Sequence, residues 1–303
     1  TQIYDSPDTY IGGASLTTDI LPTLENDKLV FKGIEYIPGL LKLFDEVIVN
    51  SRDQWDRLSK KKTKHPLTEI RVTIDSQKVT VYNNGEGIDV AEHPVYKDPE
   101  GKPIWIPQLL FGELLTSANY DKVDKTTGGK NGFGAKLTNI FSKEFSVETL
   151  DHTRKQLWTQ EYADNMRVMK KGKTKKSTKK PYTKISYTAD FHKFDITEYS
   201  PDMINLMKKR TYDIATLTPA AVNVYYNGEL INIDTLEDYA KMMDHEVPGV
   251  YADIHPRWKI YATLSDNDSF QQVSFVNGIA TIKGGKHVDR ISRLICKGVV
   301  DYI

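Results

Sequence analysis

The stretch "PGLLKLFDEVIVNSRDQWDRL", residues 38 to 58, predicts a long helix with two chemically different faces. Polar Glu46, Asn50 and Asp53 fall on one face, because residues i, i+4 and i+7 lie one above another in a helix. Pro38 suits the first turn. The apolar positions recur at helical spacing and are Leu40, Leu41, Phe44, Val47 and Ile48. The stretch therefore predicts a helix that buries one face and presents a carboxylate and an amide together on another.

A strand hairpin is predicted directly after this helix, in "EIRVTIDSQKVTVYNNGEGI", residues 69 to 88, where apolar and polar residues alternate on both sides of a polar turn. Further along the chain, the same patterns predict helices in "QLLFGELLTSAN", "AKLTNIF", "MINLMKKRTYDIAT" and "TLEDYAKMM", and strands at 145–162, 182–188 and "VNVYYNGELI". Helices mixed with antiparallel hairpins predict an α+β architecture in which helices cover one face of a sheet.

The pattern changes after Pro248 to paired strands, "RWKIYATLS" and "QQVSFVNGIAT", followed by a helix that starts at Lys286. We therefore expect two domains, residues 1–247 and residues 248–303. The chain starts without methionine and stops inside the last predicted helix, so we expect a fragment of a longer protein. Its 303 residues are long enough for two separate cores.

Composition excludes several classes of protein. The 41 basic and 41 acidic residues cancel, so no overall field commits the chain to nucleic acid. A single cysteine, Cys296, rules out an internal disulfide and is typical of a reducing compartment. The sequence contains neither a run of eighteen apolar residues nor a secretory signal. We therefore expect no association with a membrane.

The segment "TGGKNGFGAK", residues 127 to 136, holds four glycines and ends in a lysine, a composition typical of phosphate-binding loops. A Walker A loop needs lysine directly after its last glycine and then Ser or Thr. Here one residue separates Gly134 from Lys136, and Leu137 follows. Leu137 also occupies the position of the third glycine in a dinucleotide fingerprint. The segment is therefore another class of phosphate loop, or a flexible surface loop.

Several segments, read together, resemble the ATP site of the GHKL superfamily, named for gyrase, a heat-shock chaperone, histidine kinases and the MutL mismatch-repair proteins. The resemblance is greatest to the ATPase region of the eukaryotic-type DNA topoisomerase II family. It rests on five segments in order, "FDEVIVN", "LLTSANYD", "TGGKNGFGAK", "RTYDIA" and "FVNGIATIKGGKHVD". It implies a GHKL or Bergerat-type sandwich, with helices on one face of a mixed sheet, followed by the start of a transducer domain.

The resemblance implies that Glu46 is the general base of ATP hydrolysis and that Asn50 binds Mg²⁺ through its amide oxygen. This agrees with the chemistry, since an ATPase needs a group to deprotonate water and a ligand that leaves the metal free to hold phosphate. Without the neighbouring motifs, Glu46 would be interpreted as a solvated carboxylate on an amphipathic helix.

By the same resemblance, Asn83 reads the adenine, with Gly85 and Gly87 against the base, since glycine allows close approach of the backbone. The alternative is an ordinary hairpin turn, for which Asn-Gly is a common signal. Many superfamily members carry aspartate where Asn83 stands. The remaining nucleotide-binding residues implied are Ser117, Ala118 and Asn119, for the ribose and phosphate edge, and the triphosphate lid Gly129, Lys130, Asn131, Gly132, Phe133, Gly134, Ala135 and Lys136.

Two positions depart from the family pattern. Gln54 stands where a second asparagine is usual, so we leave Gln54 outside the predicted site. Lys130 replaces a common arginine, which puts a bidentate phosphate contact in doubt. The family's transducer lysine, which touches the γ-phosphate, falls beyond Ile303.

Seven lysines lie between Lys170 and Lys180. Such a run is either solvated and disordered or a surface for DNA or membrane phosphates.

The resemblance implies the ATPase gate of a type IIA topoisomerase, in which ATP and Mg²⁺ drive closure of a homodimer around double-stranded DNA. The alternatives are a nucleotide-dependent clamp without turnover and another GHKL ATPase, such as a mismatch-repair protein or chaperone. A nuclear location is expected for a eukaryotic source, with viral and organellar origins open.

Overall fold

The computed structural model describes residues 2–113, 134–243, 247–255, 258–265 and 268–303. Its strands are β1 (Thr17–Glu25), β2 (Lys28–Tyr36), β3 (Glu69–Ile74), β4 (Val79–Asn84), β5 (Glu92–Lys97), β6 (Pro103–Trp105), β7 (Ser142–Asp151), β8 (Gln156–Ala163), β9 (Val168–Met169), β10 (Lys173–Lys176), β11 (Tyr182–Ala189), β12 (Asn223–Tyr226), β13 (Glu229–Leu230), β14 (Val250–His255), β15 (Trp258–Ala262), β16 (Phe275–Val276) and β17 (Ile279–Ala280). Its helices are α1 (Gln2–Asp5), α2 (Pro7–Tyr10), α3 (Pro38–Ser59), α4 (Ile106–Gly112), α5 (Gly134–Ile140), α6 (Pro201–Leu217), α7 (Leu236–Lys241) and α8 (Lys286–Tyr302).

One mixed sheet organises the larger part of the chain. Its strands follow the order β10-β8-β7-β11-β4-β3-β12-β13, and β9 pairs with β8. The pairing of β12 with β3 is parallel, whereas the other pairs in this sheet are antiparallel. The expected α+β architecture with a mixed sheet is therefore confirmed.

Helix α3 covers one face of this sheet, as the apolar spacing predicts. Its buried apolar side chains are Leu40, Leu43, Phe44, Val47, Ile48, Val49 and Leu58. They pack in the same core as alternate residues of the hairpin strands, such as Val79 and Val81 of β4. Burial of each large aliphatic side chain contributes about 1.5–3 kcal/mol, so this contact fixes the position and rotation of α3.

Helix α6 packs beside α3 on the covered face, and its start has a side-chain cap. The Ser200 hydroxyl accepts a hydrogen bond from Met203 N (3.1 Å), and Pro201 occupies the first turn. Both features are favourable at a helix N-terminus. The apolar side of α6 buries Met203, Leu206, Met207 and Ile214.

A buried network of charges joins α6 to α3 and to the turn between β16 and β17. Arg210 is 4% exposed, and its Nε donates to Asp45 Oδ1 (2.5 Å) while its Nη2 donates to the Gly278 carbonyl oxygen (2.5 Å). Asp213 accepts from Lys209 Nζ (3.1 Å) and from the Tyr239 hydroxyl (2.5 Å). Burial lowers the pKa of Lys209 below its usual value, although Asp213 opposes this effect.

The turn that Arg210 contacts is "VNGI", residues 276 to 279. Asn277 and Gly278 both have positive φ (51° and 85°), as a two-residue turn of the Asn-Gly type requires. The expected domain boundary near residue 248 stays a prediction. The hydrogen bond from Arg210 to Gly278 joins residues on the two sides of that boundary. Among the helices described, none is long and apolar enough to cross a membrane.

We expect Arg210→Met to lower the free energy of unfolding by about 3–5 kcal/mol, because half-buried Asp45 loses its partner and buried Asp213 keeps only Lys209 as a cationic partner. Lys102→Met is the matched control, since Lys102 pairs with Glu100 at the surface (2.7 Å) and should cost less than about 1 kcal/mol. Urea denaturation of both variants measures this difference. Equal losses would show that the buried network does not stabilise the fold.

Candidate nucleotide site

Helix α3 presents Glu46 and Asn50 on one side, in the arrangement expected from their spacing. The Glu46 side chain is 21% exposed, and its Oε1 lies 2.5 Å from Lys42 Nζ, one turn earlier. Asn50 is exposed, one turn later. A carboxylate and an exposed amide thus lie side by side above the buried stripe of the same helix.

The start of helix α5 lies against Glu46. A β-carbon on Gly134 would collide with Glu46 Oε2, so the Glu46 carboxylate lies in contact with the backbone at Gly134. The Thr138 hydroxyl donates to the Leu43 carbonyl oxygen (3.0 Å), and Asn139 Nδ2 donates to the Phe111 carbonyl oxygen (2.9 Å). These two bonds tie α5 to α3 and to α4. The end of the glycine-rich segment is therefore held next to the candidate base.

Lys136, in the first turn of α5, is 1% exposed. Burial lowers its pKa to about 8, and the negative charge of Glu113 partly offsets this effect. A buried ammonium group gains stability from any further negative charge that approaches it. Lys136 is therefore suited to stabilise an anion that binds next to it.

Asn83 lies at the other end of the site, 7% exposed, on the face of the sheet that the helices cover. Its Nδ2 donates to the Asn84 carbonyl oxygen (2.8 Å), and its Oδ1 accepts from the Ser51 hydroxyl of α3 (3.3 Å). The first bond fixes the orientation of the amide. A carbonyl oxygen has two lone pairs, so Oδ1 keeps a capacity to accept from a ligand.

Gly85 and Gly87 both permit close packing in the segment that follows β4. Gly85 has φ of 98°, and a β-carbon there would lie 2.9 Å from Leu58 Cδ1. A β-carbon on Gly87 would collide with the Leu150 carbonyl oxygen of β7. The Ile88 amide donates to the Thr149 hydroxyl (2.9 Å), which fixes this segment on β7. The glycines therefore place the backbone next to Asn83.

At this end of the site, Ser51 and Thr149 were absent from the prediction, and Gln54 was left outside the predicted site. Gln54 Nε2 donates to the Glu86 carbonyl oxygen (2.9 Å), so it holds the glycine-containing segment against α3. Thr149 is fully buried and lies on the same face as Asn83, since both pair in register with Thr183 of β11. The spacing of Gln54 eight residues after Glu46 was a signal for its place on this side of α3.

The Glu86 side chain is also fixed. It forms an ion pair with Lys61 and accepts from the Thr63 hydroxyl (2.6 Å). Burial opposes ionisation of Glu86, but the bonds from Lys61 and Thr63 outweigh it and lower the pKa of the carboxyl. Glu86 therefore stays charged at neutral pH and anchors the segment from outside the site.

The remaining predicted residues lie outside the described ranges: Ser117, Ala118, Asn119, Gly129, Lys130, Asn131, Gly132 and Phe133. Their assignments stay predictions. Gly134, Ala135 and Lys136 continue that segment into α5, where Ala135 is buried against the core.

The residues present are compatible with a magnesium ion bound mostly by a ligand. Within the described ranges, no group of three or more His, Cys, Asp or Glu side chains is placed to hold a metal. Mg²⁺ bound with phosphates needs only one or two protein oxygens and keeps waters for the rest. An exposed amide such as Asn50 fits that requirement.

The structure brings together residues that are distant in the sequence along one helix. Glu46 and Gln54 are about 12 Å apart along the axis of α3. One end offers a carboxylate, a glycine backbone and a buried lysine. The other offers a buried amide and a glycine-rich segment. This arrangement can hold an elongated ligand with an anionic end and a flat polar end.

Comparison with solved structures decides the family. The chain superposes on the ATPase region of topoisomerase II from Saccharomyces cerevisiae with a TM-score of 0.90, at 36% identity, over 99% of this chain and 78% of that one. The chain belongs to the topoisomerase II family. The ATPase and transducer domains of DNA topoisomerase II from Balamuthia mandrillaris give a TM-score of 0.88 at 35% identity, over 99% of this chain and 76% of that one.

Whole topoisomerases II match over the same region. The chain is 41% identical to DNA topoisomerase 2 of Pisum sativum and 38% identical to DNA topoisomerase 2-alpha of Mus musculus, in each case over 98% of this chain. It spans about a fifth of the length of these relatives, 20% and 19%. No protein-family model matches the chain. The resemblance drawn from the five sequence segments is confirmed.

We expect Gly87→Ala to destabilise the fold by about 1–3 kcal/mol, because the added methyl group meets the backbone of β7 and forces the segment after β4 to move. Gly33→Ala is the control, since no heavy atom lies within 4 Å of a β-carbon there. Urea denaturation compares the two. If Gly87→Ala proves as stable as Gly33→Ala, the close approach is refuted.

Proposed function

We propose that this chain binds ATP with Mg²⁺ and hydrolyses it, as the ATPase gate of a type IIA DNA topoisomerase. The observation that carries the proposal is the position of Glu46, which lies between its partner Lys42 and the backbone of Gly134. A carboxylate held beside the end of a glycine-rich loop is placed to accept a proton from water that attacks a phosphate bound there.

The adenine is assigned to the end of the site that holds Asn83. Its fixed amide oxygen accepts from the exocyclic amine, and the backbone at Gly85 and Gly87 lies along the base. Thr149 joins this group, because its hydroxyl is buried on the same face of the sheet. A base that lacks the amine leaves Asn83 without this partner, which favours adenine over bases that present a carbonyl there.

The triphosphate is assigned to the end that holds Glu46 and Lys136. We assign the phosphates to residues 129–134, and Lys136 supplies a positive charge in a dry environment, where it acts strongly. Ser117, Ala118 and Asn119 contact the ribose and the phosphate edge. Asn50 would hold Mg²⁺ together with phosphate oxygens, and the ion would neutralise charge on the phosphates.

At the level of the whole protein, we propose that ATP closes a homodimer around double-stranded DNA and that hydrolysis resets this gate. The segment 248–303 is then the beginning of a transducer domain that follows an ATP-binding domain of residues 1–247. Relatives named DNA topoisomerase 2 support this proposal. A nuclear location follows if the source is a eukaryotic cell.

A clamp that binds ATP without turnover is the second candidate. It needs the adenine and phosphate contacts but no base. The position of Glu46 next to Gly134 favours hydrolysis, since the carboxylate lies against the backbone at the end of the glycine-rich segment.

We expect Glu46→Gln to lower steady-state ATP hydrolysis by roughly 10²- to 10⁴-fold while ATP still binds, because the amide keeps the shape but cannot accept the proton. Glu35→Gln, an exposed change in β2, is the control. The measurement pairs a phosphate-release assay with calorimetric titration of ATP. Unchanged hydrolysis in the Glu46→Gln variant would favour the clamp.

We expect ATP affinity to fall as the pH rises above about 8. Lys136 in the free protein has a pKa of about 8, and bound phosphate raises it, so above that value binding requires uptake of a proton. The loss approaches tenfold per pH unit until the pKa of the complex is reached. Below about pH 7 the lysine is already charged and this dependence vanishes.

The control for this pH dependence is Lys136→Arg, whose side chain stays charged throughout the range. Calorimetry between about pH 7.5 and 9.5 should give a flat profile for the Lys136→Arg variant and a falling one for the parent. A flat profile in the parent would remove Lys136 from the phosphate site.

A further inference from the structure

The lysine-rich run forms an edge strand rather than a disordered loop. Strand β10 pairs antiparallel with β8, so that Lys173 lies opposite Thr159 and Lys175 opposite Leu157. It is the first strand in the order of the mixed sheet, and no other described strand pairs with its outer edge. The expectation of disorder is therefore wrong for residues 173–176, although their side chains are exposed to solvent as expected. We call residues 170–180, which include β10 and the residues on either side of it, the lysine strand.

The lysine strand carries seven lysines and no acidic residue. Glu161 of β8 pairs with Lys170 (2.7 Å), and this bond, with a smaller effect of Lys173, lowers the pKa of that carboxyl. Within the described part of the chain, no acidic side chain forms an ion pair with the other six lysines, all of which are exposed. Those six are Lys171, Lys173, Lys175, Lys176, Lys179 and Lys180. The described part of the chain thus leaves most of the charge of this edge without an acidic partner.

Strand geometry spreads these charges over a surface. Lys173 and Lys175 project from the uncovered face of the sheet, about 6.7 Å apart, because successive side chains of a strand alternate between faces. Lys176 lies on the other face of the sheet. Flexible four-carbon stems let the ammonium groups meet negative charges at varied positions. This arrangement suits a partner with repeated, closely spaced negative charges and no fixed pattern of side chains.

Two simpler explanations account for less of the pattern. Lysine on an edge strand discourages pairing with another chain, but this explains only the residues inside β10. Lys171, Lys179 and Lys180 lie outside it. A membrane-binding segment carries aromatic or large apolar anchors beside its basic residues. Residues 168–180 contain no aromatic residue and form strands β9 and β10, so the exposed Val168 and Met169 next to the run do not make the apolar face of an amphipathic helix.

We infer that the lysine strand binds the phosphate backbone of duplex DNA, independently of base sequence. This inference rests on the proposed function, which places double-stranded DNA at this protein. It adds a contact surface on the ATP-binding unit itself, at the far edge of the sheet from β12 and β13. Attraction of this kind comes from release of counterions, so it must weaken steeply as salt increases.

The test measures binding of a short, labelled duplex of mixed sequence to the 303-residue chain by fluorescence anisotropy, from about 50 to 200 mM NaCl. Two triple variants are compared: Lys173, Lys175 and Lys176 changed to Gln, and Lys171, Lys179 and Lys180 changed to Gln. We expect each to weaken binding by on the order of tenfold at low salt and to make the salt slope shallower by about 1 for each lysine that contacts a phosphate.

The matched control changes three exposed lysines on other elements, Lys78, Lys97 and Lys297, to Gln and should leave both affinity and slope unchanged. The second triple variant leaves β10 intact, so it separates DNA binding from protection of the strand edge. If neither lysine-strand variant alters DNA binding, the inference is overturned. It is also overturned if the first variant merely self-associates at unchanged DNA affinity, or if the variants lose binding only to anionic phospholipid vesicles.

Titration of ATP against the same variants separates this inference from the proposed function. Strand β8 separates β10 from β7, and no lysine of the run is among the residues assigned to the nucleotide, so each variant should bind ATP like the parent chain. A parent chain that does not bind ATP contradicts the proposed function. If the parent chain binds ATP and the variants bind DNA as tightly as the parent, only the inference about the lysine strand is contradicted.

Discussion

The packing of α3 against the covered face of the mixed sheet is the contact on which the rest of the arrangement depends. Its apolar stripe is fully buried, so the helix cannot rotate without exposing large side chains such as Phe44 and Ile48. Once this stripe is fixed, the opposite side must present Glu46 and Asn50, and the flank must meet Asn83. The site is thus a consequence of core packing, because one rigid helix positions the groups at both ends of the site.

Sequence patterns predicted the helices and strands in which a regular spacing of apolar residues continues over a long segment. The spacing in α3 and the alternation in β3 and β4 each specify local structure through side-chain position alone. The expected pairing of "RWKIYATLS" with "QQVSFVNGIAT" was wrong, because β15 pairs with β14 and the second segment turns at Asn277 and Gly278 to pair with itself as β16 and β17. The hairpin of β1 and β2 was not predicted, although Asn26 and Asp27 both adopt the positive φ typical of a tight turn. Its side chains alternate poorly in burial, so the pattern is weak.

The candidate site could be predicted only in part, and the reason is the register of the strands. Glu46 and Asn50 are related by helix geometry, which the sequence specifies. Thr149 reaches the same face as Asn83 through β11, across two pairings that no local pattern encodes. The buried environment of Lys136 likewise depends on how α5 docks. For the lysine run, the prediction failed in the other direction. Its composition indicates disorder, but residues 173–176 form a strand because they pair with β8.

The bond from Arg210 to Gly278 has a further consequence for how this chain can vary. Its acceptor is a main-chain carbonyl oxygen. The hydrogen bond therefore depends on the backbone path of the turn and not on the side chains that the turn carries. Substitutions around the turn are therefore tolerated as long as its left-handed backbone persists, whereas insertion of one residue would shift the oxygen away from Arg210. Length, more than residue identity, is what this junction constrains.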